Sequence, residues 1–205
     1  TVFVWTKAPP GREQRAALAI RDKVIPFYQW GTLLFTRAYL HRYYAASWYF
    51  TQAQKGDCKE AFVAAVSEAL EKYPAVDLFL LAHTNKYVDW VEELPEAQRK
   101  HLRFVYNTGC HNQPQGEQWL ALGAKTYIGH PGTSDSPFFY YHLLRHWTRG
   151  ESLEDILPMG NQRMALKFKQ VAFFSGGRFN AEEAIANSAA ACMGNARLRI
   201  EDMGQ

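Results

Sequence analysis

Polar and apolar positions along this chain follow two periods. Four short apolar runs are strand-like: 2–5, 48–51, 76–82 and 102–106. The third, Val76-Asp77-Leu78-Phe79-Leu80-Leu81-Ala82, stops at His83, and the fourth, Leu102-Arg103-Phe104-Val105-Tyr106, runs through Asn107-Thr108-Gly109 into Cys110. Nearly continuous apolar runs of this length read as buried strands of a parallel sheet. Segments 125–128 and 197–200 complete a predicted set of six.

Helical spacing fills the intervals. Residues 12–45 are helical in character with an interruption near Pro26, and 59–73 place Phe62, Val63, Val66, Ala69 and Leu70 on one stripe that Pro74 ends. A short helix follows between Pro95 and Arg99-Lys100. Others are predicted over 117–122, closed by Gly123, over 137–147, over 151–159, and over 181–193 with Asn180 as N-cap. Residues 160–179 carry no clear period. Strands alternating with helices predict an α/β fold, a three-layer αβα sandwich around a mostly parallel six-stranded sheet, in one domain spanning 1–205.

Composition narrows the function classes. With 47% hydrophobic and 21% charged residues the chain is globular, and a net charge of +3 without a dense Lys/Arg block points away from nucleic acid. The aromatic stretch 24–50 is broken by Arg37, His41 and Arg42, so it is expected to pack on the sheet rather than to span or coat a membrane. Three cysteines, Cys58, Cys110 and Cys192, are no disulfide framework, although a single Cys58–Cys192 bridge is open, and they lean toward a reducing, cytoplasmic setting. What precedes Thr1 is left open, as is the oligomeric state.

Two residues carry the candidate chemistry. Residues just past the carboxyl ends of neighbouring parallel strands meet in one crevice, and the two strongest runs deliver His83 and Cys110 there. A histidine and a cysteine so placed are a base and a nucleophile. The arrangement resembles the caspase-like cysteine peptidases (clan CD: caspases, legumains, gingipains, separases and related bacterial peptidase domains). In that group one strand ends in the catalytic His and the next in the catalytic Cys. The resemblance spans most of the chain, and its specific part is the His83 and Cys110 contexts, the 122–129 strand and the serine-containing loop after it.

That resemblance implies a sheet order of 2-1-3-4-5-6 and a cysteine endopeptidase working through a His83/Cys110 dyad and a thioester acyl-enzyme. It implies backbone N–H groups of Thr84 and Cys110 as the oxyanion site, and Ser134 and Asp135 in the S1 region. By charge Asp135 would pair with a basic P1 side chain there; the alternative is that Ser134 or Asp135 caps the helix starting near Pro137. His130, after the fifth strand, is expected to line the pocket. Asn85 and Asn107 are the candidates to orient His83, but the group commonly works as a dyad and no third member is assigned. Thr84 is a departure, because the group has glycine after the catalytic histidine and a β-branched residue disfavours positive φ. Gly109 before the nucleophile is a milder one. The pentapeptide that marks caspases proper is absent.

Competing readings stand beside it. Thr84, with the aromatic segments Phe27-Tyr28-Gln29-Trp30 and Tyr43-Tyr44, motivates an inactive caspase-like module that binds a peptide or protein partner. A nucleotide-binding domain would need a glycine-rich phosphate loop, which Pro9-Pro10-Gly11 is not. No metal or cofactor is expected. Cys110, His83 and His130 lack ligand spacing, and His142 and His146 sit at i and i+4 without a glutamate beside the first.

Overall fold

The computed structural model describes residues 6–53, 56–83, 85–134, 137–176 and 178–203. The protein is an α/β three-layer sandwich. Six strands, β1 (Arg15–Arg21), β2 (Ala46–Thr51), β3 (Ala75–Leu81), β4 (Leu102–Asn107), β5 (Thr126–Gly129) and β6 (Ala191–Gly194), form one sheet in the order β2-β1-β3-β4-β5-β6. The first five are parallel and β6 runs antiparallel to β5. This is the order the family resemblance implied.

The helices are α1 (Pro26–Tyr43), α2 (Lys59–Lys72), α3 (Tyr87–Glu92), α4 (Glu96–Arg99), α5 (Gly116–Ala121), α6 (Pro137–Trp147), α7 (Leu153–Phe174) and α8 (Ala181–Ser188). Alternate residues of each strand feed two separate cores, as the two-residue period requires. Ala17, Ala19, Phe79, Leu81, Phe104 and Tyr106 pack with α1, α6 and α7. Ala16, Leu18, Ile20, Val76, Leu78 and Leu80 pack with α2, α3 and α5. All seven residues of β1 and of β3 are buried.

Two strands differ from expectation. Residues 12–45 are not one helix, because 15–21 form β1 at the interior of the sheet. The alanines at 16, 17 and 19 favour helix locally, yet a run buried on both faces with a strand on either side gains more as a central strand. The first predicted strand, 2–5, lies outside the described residues. The sixth strand is 191–194 rather than 197–200. The last helix stops at Ser188, and 197–200 is turn structure whose Ile200 carbonyl accepts from Arg103 at 2.6 Å and from Arg15 at 3.3 Å. Asn180 does cap α8, its side chain accepting the Glu183 N–H at 3.2 Å.

The helix predicted over 151–159 continues through the unassigned stretch to Phe174, with Pro158 inside it. Met164 and Phe168 are buried on its sheet-facing side and hold it in one piece. A short helix, α3, also precedes the one at Pro95. All three cysteines are free. Among the described residues no helix is long and apolar enough to cross a membrane.

Polar residues hidden inside two predicted apolar runs pair at the amino edge of the sheet. Arg103 makes a two-point contact with Asp77, at 2.9 and 2.6 Å, and both side chains are fully buried. Tyr44 donates to the same carboxylate at 2.6 Å. Burial pulls the Arg103 pKa down, and the Asp77 charge and hydrogen bonds outweigh it, so the net direction is up.

Candidate active site

All five parallel strands end at one edge, and their last residues or the loops after them converge there. β1 leads into Asp22, β2 into Gln52, β3 into His83, β4 into Cys110 and β5 into His130–Ser134. β3 and β4 are direct neighbours with Leu80 opposite Asn107, and the Thr108 N–H continues the ladder to the Leu80 carbonyl at 2.9 Å. His83 and Cys110 therefore leave adjacent strands at nearly the same level.

The two loops also touch beyond the ladder. The Asn85 amide donates to the Cys110 carbonyl at 3.3 Å. A Cβ on residue 109 would sit 3.1 Å from Asn85 Oδ1 and 3.3 Å from the Ala82 carbonyl oxygen. Gly109 thus permits the close approach of the segment that carries the histidine. Its N–H is held by Asn107 Oδ1 at 2.9 Å, an Asx-type turn that sends the chain out of β4. His111 then takes a left-handed φ of 52°, the only non-glycine to do so among the described residues. Histidine tolerates this region better than most residues, and such backbone clusters at functional sites. His111 is accordingly not extended, and its Nε2 lies 3.5 Å from Thr133 Oγ1.

The β5 loop clamps the cysteine turn from the other side. Asn112, fully buried, donates to the Asn107 carbonyl at 3.0 Å and accepts the His130 N–H at 2.7 Å. The His111 N–H donates to the Gly132 carbonyl at 2.9 Å. The Ser134 N–H donates to Cys110 Sγ at 3.3 Å, so Ser134 and the half-buried thiol are in contact. Ser134 also opens onto a cleft of about 580 Å³ that includes Phe168, Arg178, Glu183 and Asn187. This cleft lies between the β5 loop and α8, beside the sulfur.

His83 is exposed, and its backbone N–H is fixed by the Asp22 carboxylate at 2.7 Å. Asp22 is itself buried and takes further hydrogen bonds from Gln52 Nε2 at 2.8 Å and from the Tyr87 hydroxyl. Burial, reinforced by the bond to Asp22, raises the Tyr87 pKa and keeps that phenol a donor. Among the described residues no hydrogen bond joins the His83 ring to the Cys110 sulfur, and neither Asn85 nor Asn107 bonds that ring. Likewise, among the described residues, no acceptor bonds the Cys110 N–H beside the sulfur.

No family model, curated protein or solved structure matches this chain.

One predicted site residue is placed differently. His130 does not line a pocket, because its side chain is fully buried. Nδ1 meets the Ser188 carbonyl at 2.8 Å and Nε2 the Tyr106 hydroxyl at 3.2 Å, so the ring is a neutral Nδ1–H tautomer between two fixed partners. Burial lowers its pKa to about 4. Thr84 and Asp135 lie outside the described residues. Among the described residues no cluster of His, Cys, Asp and Glu is arranged to hold a metal ion.

The residues that sequence reading missed are Asp22, Gln52, Tyr87 and Asn112. Asp22, Gln52 and Asn112 are lone polar residues at strand ends or in a loop and Tyr87 opens α3, and only strand adjacency brings them to the site. A buried asparagine or aspartate beside a strand end is the one local signal that marks them.

Proposed function

We propose that the chain is a cysteine peptidase of the caspase-like type, with Cys110 as nucleophile and His83 as acid and base. The observation that carries this reading is the delivery of both residues from adjacent parallel strands to one edge, with the Asn85 side chain tying the two loops together. The sheet order with a final antiparallel strand adds support.

In the proposed reaction the Cys110 thiolate attacks the scissile carbonyl carbon and forms a C–S bond. The tetrahedral oxyanion takes the Cys110 N–H, joined by the N–H of Thr84. The C–N bond then breaks and the leaving amine takes a proton from His83. Water adds to the thioester with His83 accepting its proton, the C–S bond breaks, and the thiolate is restored. The cleft beside Ser134 would hold the substrate side chain that precedes the scissile bond, and Asp135, next in the chain, favours a basic one there.

A second reading is a caspase-like module that binds a peptide or protein partner without cleaving it. The lack of a bond between the His83 ring and the Cys110 sulfur favours it, although catalytic hydrogen bonds are often long before substrate binds. A thiol-reactive peptide probe, mapped by mass spectrometry, separates the two. Burial pushes the Cys58 and Cys192 thiols up to about 11, so at neutral pH they serve as slow internal references. Preferential labelling of Cys110 that falls in His83→Ala is the expected result. Equal, slow labelling of all three cysteines, indifferent to His83, would favour the binding module.

A further inference from the structure

α7 projects past the carboxyl edge of the sheet, α1 starts at that edge, and both of these helix ends are aromatic. α1 begins a few residues after β1 leaves that edge. α7 begins at the opposite edge, where the Glu154 N–H donates to the Ala196 carbonyl at 2.7 Å. By Asn161 it has reached the carboxyl edge, because Asn161 exchanges two hydrogen bonds of 2.9 Å with Ala190, next to the start of β6. The 22 residues of α7 span about 33 Å against about 23 Å for a seven-residue strand, so its last turns overhang the sheet.

The first turns of α1 and the last turns of α7 carry the most exposed aromatic side chains described. Phe27 and Trp30 on α1 are 77% and 64% exposed, and Phe173 and Phe174 on α7 are 81% and 84% exposed. Each helix has the same axial order. On α1, Phe27, Trp30 and Leu34 lie on one stripe, followed at the same spacing by Arg37 and His41. On α7, the two phenylalanines are preceded by the exposed Lys169 and Lys167 and, one turn further back, by Arg163. Residues 23–56 and 156–181 contain eight Lys/Arg and no Asp or Glu, whereas the rest of the chain holds fifteen Lys/Arg against twenty Asp/Glu.

We infer that these two helix tips dock on an anionic lipid surface, aromatic ends in the headgroup layer and cations behind them at the lipid phosphates. Aromatic side chains so exposed at two helix ends suit a soft planar partner entered to a depth of about 5–10 Å. Aromatic residues at the interface with Lys and Arg one or two turns behind them is the order that a membrane boundary selects. The absence of carboxylates from both segments supplies the charge complementarity. The contact is interfacial and does not depend on Cys110 being catalytic. It would turn the carboxyl edge of the sheet toward the membrane.

The test is co-sedimentation with phosphatidylcholine vesicles, with and without about 30 mol% phosphatidylserine. Binding only to the anionic vesicles is expected, weakening as NaCl rises from about 0.05 M to about 0.5 M. Phe27→Ser/Trp30→Ser and Phe173→Ser/Phe174→Ser are each expected to lower partitioning about tenfold or more while melting with the parent protein. Lys167→Gln/Lys169→Gln, which leaves the aromatic residues in place, should weaken it as well. No binding to anionic vesicles at low salt would overturn the proposal, as would binding that all three variants retain. A parent dimer converted to monomer by both aromatic variants would overturn it too, assigning the tips to self-association.

Discussion

The Asp22 carboxylate accepts the backbone N–H of His83 at 2.7 Å and so ties the end of β1 to the loop after β3. Gln52 and Tyr87 donate to the same carboxylate, which makes Asp22 the support on which the histidine loop rests.

Asp22→Ala would take this acceptor from the Tyr87 hydroxyl and the His83 N–H, while Gln52 Nε2 would keep the Tyr87 hydroxyl. A loss of about 1–3 kcal/mol in folding stability is expected from denaturant titration. Peptide-probe labelling of Cys110 in the folded variant is expected to slow roughly 10²-fold, because small misplacements of a catalytic loop cost that much. Asp22→Asn keeps one carbonyl oxygen and should recover part of both. Labelling at the parental rate in Asp22→Ala would detach Asp22 from the site.

His130 predicts an acid-side loss of stability. Its folded pKa of about 4 lies below the ordinary 6.5, so between these values the unfolded chain binds the proton and the native state does not. Stability therefore is complete above pH 6.5 and falls as pH drops toward 4, by about 3 kcal/mol over the window for this residue. Protonation at Nε2 would also require the Tyr106 hydroxyl to change from donor to acceptor. Urea titrations at pH 7 and at pH 5 should show a smaller difference for His130→Gln than for the parent protein. An equal difference would assign the acid sensitivity elsewhere, with His142, whose pKa burial likewise lowers to about 4, as the next group to test.

The buried Asp77–Arg103 pair separates stability from chemistry. Asp77→Asn would leave the buried Arg103 without its hydrogen-bonded carboxylate and remove a favourable charge from Arg15, and it also weakens the acceptor of Tyr44. Among the described residues Arg15 hydrogen-bonds only backbone carbonyls there, and burial already lowers its pKa. A loss of about 3–5 kcal/mol is expected. The pair lies at the amino edge, opposite Cys110, so labelling of Cys110 in the fraction that remains folded should keep the parental rate. A slowed rate in that fraction would show that the two edges of the sheet are coupled.

Legibility in the sequence followed burial. β3 and β4 were plain because nearly every position is apolar and both faces are covered, and α2 was plain because its stripe is clean. β1 was hidden by its alanines, which suit a helix until sheet neighbours are supplied on both sides. β6 was hidden because 191–194 has no strand period of its own, being a short edge paired only with β5. The pairing of Asp77 with Arg103 was concealed inside two runs that read as apolar, since each residue is half of a contact 26 positions long. His130 looked like a pocket residue from its place after β5, but packing against Ser188 and Tyr106 turned it inward.

The sequence by itself determined the α/β class, the strands that carry His83 and Cys110, and the loop that reaches Ser134, because these follow from local period and from the order of elements. Only the tertiary structure decided that Asp22 holds the histidine loop, that Ser134 meets the cysteine sulfur, and that α7 overhangs the sheet with its aromatic end exposed. Those relationships join residues 24 to 61 positions apart or depend on how far a helix outruns the strands beneath it. Such distances are set by which strands lie side by side, and local propensity carries no record of that choice.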